Sequence, residues 1–378
     1  MINKNNTPNM IPVSRPYLPE RRKLDTYISG IYERAWLTNH GELAQELESR
    51  LCKFLGVKHL LLVANGTLAI QIALRALGVT ERNIKPFPEV VTSPFTFIAT
   101  ASAPYWEGAN VQFGDIDKKS WCISPDEISK VCTRNTQAIL PVHVFGNPCD
   151  VEAIHDMATS KNLKVIYDAS HAFGVNFEKR SVLHWGDAST LSFHATKLFH
   201  TIEGGAIVFK DKEALDRAKL LINFGISRPD EINGLGINAK LNEFQAAMGL
   251  CVLDEIELNL KNRARVHQCY MERLEGLVIF QAVESRVDQN YAYFPILLST
   301  EREALEVASA LRENGVSSRR YFYPSLDTVD YLESESHCLT SRDIASRILC
   351  LPMYAELENS VIERISNIVR AVILNCRN

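Results

Sequence analysis

The sequence predicts an α/β fold in which helices cover both faces of a mainly parallel sheet, followed by a smaller α+β unit. Short apolar runs alternate with amphipathic helical segments between residues 59 and 209, which is typical of parallel strands buried on both faces. From about Gly276 the pattern changes to alternating strands and amphipathic helices. The length of 378 residues allows a large core and a second, smaller lobe.

Composition excludes several classes of protein. A hydrophobic share of 46% and a charged share of 23% are typical of a soluble globular protein. The net charge of −4 argues against nucleic acid as a partner, because nucleic acid requires a basic face. The first ten residues are polar and lack a signal core, and no apolar run reaches membrane-spanning length. We therefore expect a cytoplasmic protein that binds neither nucleic acid nor membrane.

The nine cysteines are scattered along the chain and lack the paired spacing of metal ligands. Their odd number and lack of pattern are typical of reduced thiols in the cytosol. The sequence therefore predicts no disulfide framework and no metal site.

Apolar residues at helical spacing predict helices over Leu24–Trp36 and Glu42–Leu55. The polar turn Trp36–Gly41 between them includes Thr38 and Asn39. Such a turn is either an ordinary helix linker or a ligand-binding loop, and its residues favour neither interpretation.

A turn with phosphate-binding features follows the predicted strand His59–Val63. Asn65-Gly66-Thr67 leads from this strand into a strong helix, whose first backbone N–H groups have no intrahelical acceptor. Gly66 permits close approach of a ligand to the backbone, and the Thr67 hydroxyl adds a donor. Many helices begin in this way, so the turn has meaning only together with other motifs.

Two phenylalanines, Phe95 and Phe97, follow the next strand, which begins near Val90. One of the rings could stack on a flat cofactor, although two core side chains would be the ordinary interpretation. Further strands are predicted over Val111–Asp115 and from Ala138.

An acid stands at the end of the apolar run that begins at Val165. Asp168 closes this run, and small residues lead from it to His171. This is the pattern of the carboxyl end of a parallel strand, where open α/β sheets bind ligands.

A lysine lies in the stretch from Ser192 to Gly205, before a buried strand over Ala206–Phe209. Lys197 follows apolar and small residues, and a lysine amine among apolar groups loses solvation, so that its pKa falls and it can attack a carbonyl. A lone lysine is more often a solvated surface charge, so the prediction depends on Asp168 as well. The carbonyl that suits both residues is the aldehyde of pyridoxal 5′-phosphate (PLP), whose ring needs an acid beside its nitrogen to act as an electron sink.

Together these blocks resemble those of the DegT-type nucleotide-sugar aminotransferases, which are PLP-dependent enzymes of fold type I (aspartate aminotransferase-like). The resemblance implies a large domain over residues 1–250, with an N-terminal segment and a mainly parallel seven-stranded sheet that has one antiparallel strand. Residues 251–378 would form a linking helix, expected over Leu250–Leu274, and a small C-terminal α+β domain. A homodimer with shared active sites is also implied.

The same resemblance implies roles for the motif residues. Lys197 would bind PLP covalently and move protons, and Asp168 would pair with the pyridine nitrogen. The remaining cofactor contacts would be Gly66, Thr67, Phe97 with Phe95 as the alternative, His171 near the 3-hydroxyl, Ser192, and Asn238 of the partner subunit. Lys240 stands where the family more often has arginine.

The implied reaction moves an amino group from L-glutamate to a nucleotide-linked keto sugar. Residues 36–41 and 319–326 resemble the branch that acts on dTDP-linked 6-deoxyhexoses for surface polysaccharide such as the O-antigen of lipopolysaccharide. We expect amination at carbon 4 of a dTDP-4-keto-6-deoxyhexose, with carbon 3 as the alternative. The candidate substrate residues are Thr38, Asn39, Arg319, Arg320 and Tyr321, although a solvated basic pair is an equally good interpretation of the two arginines.

Two other classes of protein share the expected fold. A PLP-dependent sugar dehydratase would, by resemblance, carry histidine at the position of Lys197. A non-catalytic PLP-binding regulator would not need Lys197, Asp168 and the phosphate turn together. Turnover with glutamate would distinguish an aminotransferase from both.

Overall fold

The computed structural model describes residues 10–80 and 86–377. Residues 1–9, which hold most of the polar N-terminal segment discussed above, lie outside the described residues. Within the described ranges, no helix is both long and apolar enough to span a membrane. All nine cysteines lie in this part of the chain and are free thiols.

The centre of the fold is a seven-stranded sheet in which one strand is antiparallel to both of its neighbours and every other pair is parallel. The strands are β1 (His59–Val63), β2 (Glu89–Thr92), β3 (Asn110–Phe113), β4 (Thr136–Leu140), β5 (Lys164–Asp168), β6 (Ala188–Ser192) and β7 (Gly205–Phe209). They lie in the order β1-β7-β6-β5-β4-β2-β3, and β7 is the antiparallel strand. The predicted α/β class and fold type I sheet are confirmed.

Helices cover both faces of this sheet. The side chains of Leu60 and Leu62 pack in one apolar cluster, whereas those of Leu61 and Val63 pack in another. This alternation follows from the period of two residues in a strand. The helices of the chain are α1 (Arg21–Arg34), α2 (Glu42–Leu55), α3 (Gly66–Ala76), α4 (Ala99–Trp106), α5 (Pro125–Val131), α6 (Val151–Lys161), α7 (Lys212–Leu221), α8 (Glu243–Asp254), α9 (Ile256–Leu274), α10 (Glu301–Glu313), α11 (Leu339–Arg347) and α12 (Asn359–Arg377).

A third apolar cluster lies in the C-terminal part of the chain. It contains side chains of α9, α10 and α12 and of a two-stranded antiparallel sheet, β8 (Pro295–Leu297) and β9 (Ile348–Cys350). The remaining short strands form a hairpin (Ile226–Arg228 with Glu231–Ile232) and a small sheet (Asn176–Phe177, Arg180–Ser181 and Val287–Asp288). The domain boundary expected near residue 250 stays a prediction.

The structure corrects the expectation of one helix over Leu250–Leu274. The chain instead leaves helical geometry at Glu255 (φ −111°, ψ 10°), between α8 and α9. The Glu255 carboxylate accepts hydrogen bonds from the Tyr17 hydroxyl (2.8 Å) and the Glu20 backbone N–H (3.2 Å). These contacts with the N-terminal segment are tertiary, so the periodicity of apolar residues could not indicate the break.

The fully buried Glu243 links α8 to the start of α2. Its carboxylate accepts hydrogen bonds from the backbone N–H groups of Leu43 (2.9 Å) and Ala44 (3.0 Å). Gly41 precedes α2 and makes no capping side-chain bond, and a Cβ atom there would lie 2.5 Å from the Glu243 Cδ. Glu243 therefore supplies from a distant helix the cap that α2 lacks locally.

We expect Glu243→Ala to lower the free energy of unfolding by about 2 kcal/mol, because two buried N–H groups would lose their acceptor. Urea denaturation measures this change. Glu46→Ala, on the exposed side of α2, is the matched control and should change stability by less than about 0.5 kcal/mol. Equal losses in the two variants would contradict the capping role.

Candidate active site

A cavity of about 320 Å³ lies where β5 and β6 end, and it is bordered by the turn before α3, the loop after β2 and part of the C-terminal region. Ligands of open α/β sheets bind at this edge. The cavity brings together most of the predicted site residues, namely Gly66, Thr67, Phe97, Asp168, His171, Ser192, Lys197, Arg319 and Tyr321.

The start of α3 forms one wall of the cavity. The Asn65 side chain caps α3 by accepting a hydrogen bond from the Leu68 N–H (2.9 Å). Gly66 and Thr67 are the first two helical residues, so their N–H groups have no intrahelical acceptor. A Cβ atom on Gly66 would lie 2.9 Å from the Ser192 Cβ, so only glycine lets this helix start so close to Ser192. The result is an anion-binding wall of free N–H groups and hydroxyls.

Asp168 is the last residue of β5 and is buried. One carboxylate oxygen accepts a hydrogen bond from the Thr100 hydroxyl (2.7 Å), and the other accepts one from the Ser170 N–H (3.0 Å). Thr100 also shares a hydrogen bond with the Thr96 hydroxyl (2.9 Å). These contacts fix the orientation of a charged group that borders the cavity.

Lys197 lies in the turn after β6, and its backbone N–H donates a hydrogen bond to the His194 carbonyl (2.9 Å). Burial lowers the pKa of its amine, and the positive charge of Arg319 acts in the same direction, whereas Asp168 and Tyr321 oppose the change. Among the described residues, no carboxylate lies within salt-bridge distance of the amine, which instead donates a hydrogen bond to the Tyr293 hydroxyl (3.2 Å). A partly buried lysine whose amine has no ion pair is suited to nucleophilic attack.

His171 is buried in the wall next to Lys197. Burial, with a smaller contribution from the Lys197 charge, holds its pKa well below the usual value, so the ring is neutral. Its Nδ1 atom accepts a hydrogen bond from the Phe145 N–H (3.2 Å), which leaves the ring proton on Nε2. The ring is nearly parallel to that of Phe322, at a centroid distance of 5.7 Å.

The two phenylalanines after β2 have different surroundings. Phe95 is fully buried against Phe145 and Phe322. Phe97 keeps 51% of its surface exposed and borders the cavity. Of the two, only Phe97 offers a ring to a flat ligand.

The other predicted residues lie outside this cavity. The Arg320 guanidinium donates to the Glu301 carboxylate (2.6 Å) and the Ser346 carbonyl (2.6 Å). Thr38 and Asn39 lie in the exposed turn between α1 and α2, and Asn39 borders a second cavity, which also contains Lys240. Asn238 is exposed, and its backbone bridges to Asn223. Within one chain, the structure therefore does not bring these four residues to Lys197.

Some residues of the cavity were not predicted from the sequence. Tyr293, Thr96, Ser14 and Glu203 all border it. Tyr293 is separated from Lys197 by 96 positions and reaches it only because the C-terminal region packs over the sheet. Thr100 lies in the first turn of α4, directly after the Phe97 loop, so its position near the cavity was open to prediction. No sequence pattern, however, links Thr100 to Asp168.

The residues fit PLP. Lys197 offers an amine that has no ion pair among the described residues, the Asp168 carboxylate in the same cavity is fixed in place, and Phe97 offers an exposed ring. The start of α3 can bind a phosphate. The fold and the cavity thus define a PLP-dependent enzyme of fold type I.

The chain belongs to the DegT/DnrJ/EryC1/StrS aminotransferase family, whose model matches residues 20–370. It is therefore a PLP-dependent aminotransferase. A dTDP-4-amino-4,6-dideoxy-D-glucose transaminase of Shigella dysenteriae is 41% identical over 367 residues, which cover 95% of this chain and 98% of the relative. The protein of the same name from Escherichia coli is 37% identical over 373 residues, with coverage of 95% and 98%.

The fold also matches a solved structure, that of DesI in the presence of its TDP-sugar product. The TM-score is 0.90 at 30% sequence identity, and the match covers 98% of this chain and 96% of the other.

We expect Gly66→Ala to weaken PLP binding by about ten- to a hundredfold, because the new methyl group would displace Ser192 or the first turn of α3 from the phosphate. Titration of the apoprotein with PLP, followed by visible absorbance, measures the affinity. Gly234→Ala is the control, since a Cβ atom there meets nothing within 4 Å. Unchanged affinity in Gly66→Ala would contradict the assignment of this wall to the phosphate.

Proposed function

We propose that this aminotransferase moves the amino group of L-glutamate to carbon 4 of a dTDP-linked 4-keto-6-deoxyhexose, in the synthesis of an amino sugar for surface polysaccharide such as O-antigen. The observation that carries the proposal is the cavity in which the Lys197 amine lies near Asp168 without an ion pair. The choice of sugar is supported by the 41% and 37% identity to two transaminases named for dTDP-4-amino-4,6-dideoxy-D-glucose.

In this proposal Lys197 is the covalent and proton-transferring group. When bound, PLP supplies an electron sink that stabilises a carbanion next to the amino nitrogen. The Lys197 amine, once free, takes a proton from the alpha carbon of the donor and delivers it to a second carbon within reach. Its lowered pKa suits this role, because a larger fraction of the amine is neutral near neutral pH.

Side chains in the other walls of the cavity would fix the position of the cofactor. Asp168, fixed by Thr100 and Ser170, would pair with the pyridine nitrogen and keep it protonated. The neutral His171, whose Nδ1 is occupied by the Phe145 N–H, would offer its Nε2 proton to the 3-hydroxyl oxygen. Phe97, which borders the cavity, would stack on the ring. Further contacts to the phosphate come from Ser192 and the first turn of α3.

The mouth of the cavity has features of a site for an anionic substrate. Arg319 borders it, and no carboxylate among the described residues lies within 4 Å of its guanidinium. Its guanidinium carbon lies 4.4 Å from the centroid of the Tyr321 ring, which limits its motion. We assign Arg319 and Tyr321 to the carboxylate of the donor or the diphosphate of the sugar nucleotide.

We further propose a homodimer in which Thr38, Asn39 and Asn238 act in the active site of the second subunit. Support comes from their position, since all three are exposed and lie away from the Lys197 cavity of their own chain. Arg320 is held by Glu301 and has no place in this proposal. A location in the cytoplasm stays a prediction.

The proposed function predicts that the holoenzyme loses its visible PLP absorbance on addition of L-glutamate and regains it on addition of dTDP-4-keto-6-deoxyglucose. Mass spectrometry of the sugar nucleotide should show one amino group in place of the keto oxygen. Lys197→Ala should lower the rate by at least about a thousandfold, because it removes both the covalent link and the proton carrier.

Three results would contradict this function. Amination of the 3-keto isomer alone would move the reaction to carbon 3. Loss of a sugar hydroxyl without amination would indicate a dehydratase, and PLP binding without any response to amino donors would indicate a regulator.

The proposed dimer predicts complementation between two defective subunits. Lys197→Ala removes the amine, and Asn238→Asp places a negative charge against the phosphate that Asn238 would contact. A mixed dimer has one site with both residues intact, so random mixing should restore about a quarter of wild-type activity. Assay of the co-expressed, unselected mixture measures this, and mixed dimers isolated through two affinity tags should have about half of wild-type activity. Mixed dimers as inactive as the two parents would contradict sharing.

A further inference from the structure

The Tyr293 hydroxyl oxygen accepts a hydrogen bond from the Lys197 amine, with 3.2 Å between the oxygen and Nζ. Tyr293 comes from the C-terminal region, and its ring packs against His171 (centroids 4.7 Å apart), Phe145 (5.5 Å) and Tyr321 (5.7 Å). The hydroxyl has no other hydrogen-bond partner in the described part of the chain. The proposed reaction gives this residue no role.

The segment that carries Tyr293 is fastened to the large sheet. Asn290, which is only 2% exposed, donates from Nδ2 to the carbonyls of His171 (2.8 Å) and Phe173 (3.0 Å). Its Oδ1 accepts a hydrogen bond from the Ala292 N–H (3.1 Å). The backbone before Tyr293 is therefore fixed directly to the chain beside His171.

A buried pair on α9 connects the same segment to the lysine. The Arg263 guanidinium donates to the carbonyls of Ala292 (3.3 Å) and Met353 (3.4 Å), and to Asn259 Oδ1 (3.0 Å). Asn259 in turn donates from Nδ2 to the carbonyl of Leu198 (3.2 Å), the residue after Lys197. A closed set of contacts thus runs from Lys197 through α9 to Tyr293 and back to the Lys197 amine.

We propose that Tyr293 is a positioning residue of the amino transfer, which holds the free Lys197 amine between the two carbons that exchange a proton, while Asn259 and Arg263 hold the backbones of both residues. This proposal rests on the proposed function of Lys197. A lysine amine lies on a flexible four-carbon stem, so a fixed acceptor for one N–H restricts the directions in which the amine can point.

Tyr293 acts through its neutral hydroxyl and not as a base. Burial raises its pKa far above the range in which a protein is assayed. Its oxygen can accept a hydrogen bond from both the charged and the neutral amine, and the bond to the charged amine is the stronger one. Removal of the hydroxyl should therefore leave a larger neutral fraction of Lys197 at a given pH, while the amine loses its orientation.

Other groups near the amine also affect its charge. The titratable and charged side chains that border the cavity with it are Asp168, His171, His194, Glu203, Arg319 and Tyr321. Tyr293→Phe changes none of them and keeps the aromatic ring, so a change in the titration of Lys197 can be attributed to the hydroxyl.

The test compares the wild type with Tyr293→Phe in two measurements. The first is the pH-dependent acetylation of Lys197 in the cofactor-free protein by acetic anhydride, followed by peptide mass spectrometry. Below the midpoint, Tyr293→Phe should react about fivefold faster, because it has more neutral amine. The second is the single-turnover loss of PLP absorbance with L-glutamate, which should be about ten- to a hundredfold slower, at an unchanged half-saturating glutamate concentration.

Opposite changes in the two rates support the proposal, since a general loss of structure would not speed the acetylation of one lysine while slowing transfer. Tyr291→Phe is the matched control, because Tyr291 packs against His267, away from the cavity. An acetylation profile of Tyr293→Phe equal to that of the wild type would overturn the proposal, whatever the donor. A wild type that does not respond to glutamate would overturn the proposed function but leave the acetylation result valid.

A double-mutant cycle tests the α9 connection. Asn259→Ala and Tyr293→Phe should combine with less than additive effects on the single-turnover rate, because both loosen the same amine. Fully additive effects would overturn the role of Asn259.

Discussion

The candidate active site depends on one partly buried lysine amine that lies in the same cavity as one carboxylate, with no direct ion pair between the two. Burial lowers the pKa of Lys197, and Asp168 opposes this change from a distance beyond salt-bridge contact. A direct ion pair would stabilise the charged ammonium form, which is not nucleophilic. An isolated buried charge would be unfavourable. The fold balances these effects by engaging both Asp168 oxygens with Thr100 and Ser170 and by giving the amine a neutral acceptor, Tyr293.

The sheet topology creates the space for this arrangement. The ends of β5 and β6 place Asp168 and Ser192 at one edge, and the antiparallel β7 returns the chain beside β6 directly after the Lys197 turn. Gly205 at the start of β7 would place a Cβ atom 2.7 Å from the Asn65 carbonyl carbon. Glycine there, and at Gly66, lets the start of α3 lie against the end of β6. The phosphate wall is therefore a consequence of backbone packing.

The residues that border the cavity come from two parts of the chain. The large sheet provides the acid, the lysine and the start of α3, whereas Arg319, Tyr321 and Tyr293 come from the C-terminal region. Within residues 10–80 and 86–377, no carboxylate lies within salt-bridge distance of the buried Arg263, which donates instead to backbone carbonyls and Asn259. Burial lowers the pKa of Arg263 to about 10, so it remains charged near neutral pH. Burial of such a charge is unfavourable. In this site the charge holds the segment that carries Tyr293 in a fixed position relative to the segment that carries Lys197.

The sequence by itself determined the α/β class, the strands from His59 to Phe209, and the motifs at Gly66, Asp168 and Lys197, because strand burial and turn chemistry are local and leave periodic patterns. Through the family resemblance it also favoured Phe97 over Phe95, which stayed the alternative. Only the tertiary structure decided that Tyr293 contacts Lys197, that Arg320 pairs with Glu301 and that the helical geometry is interrupted at Glu255. Each of these depends on contacts between residues far apart in the chain, and no local pattern of apolar or polar residues encodes which distant partner a side chain will meet.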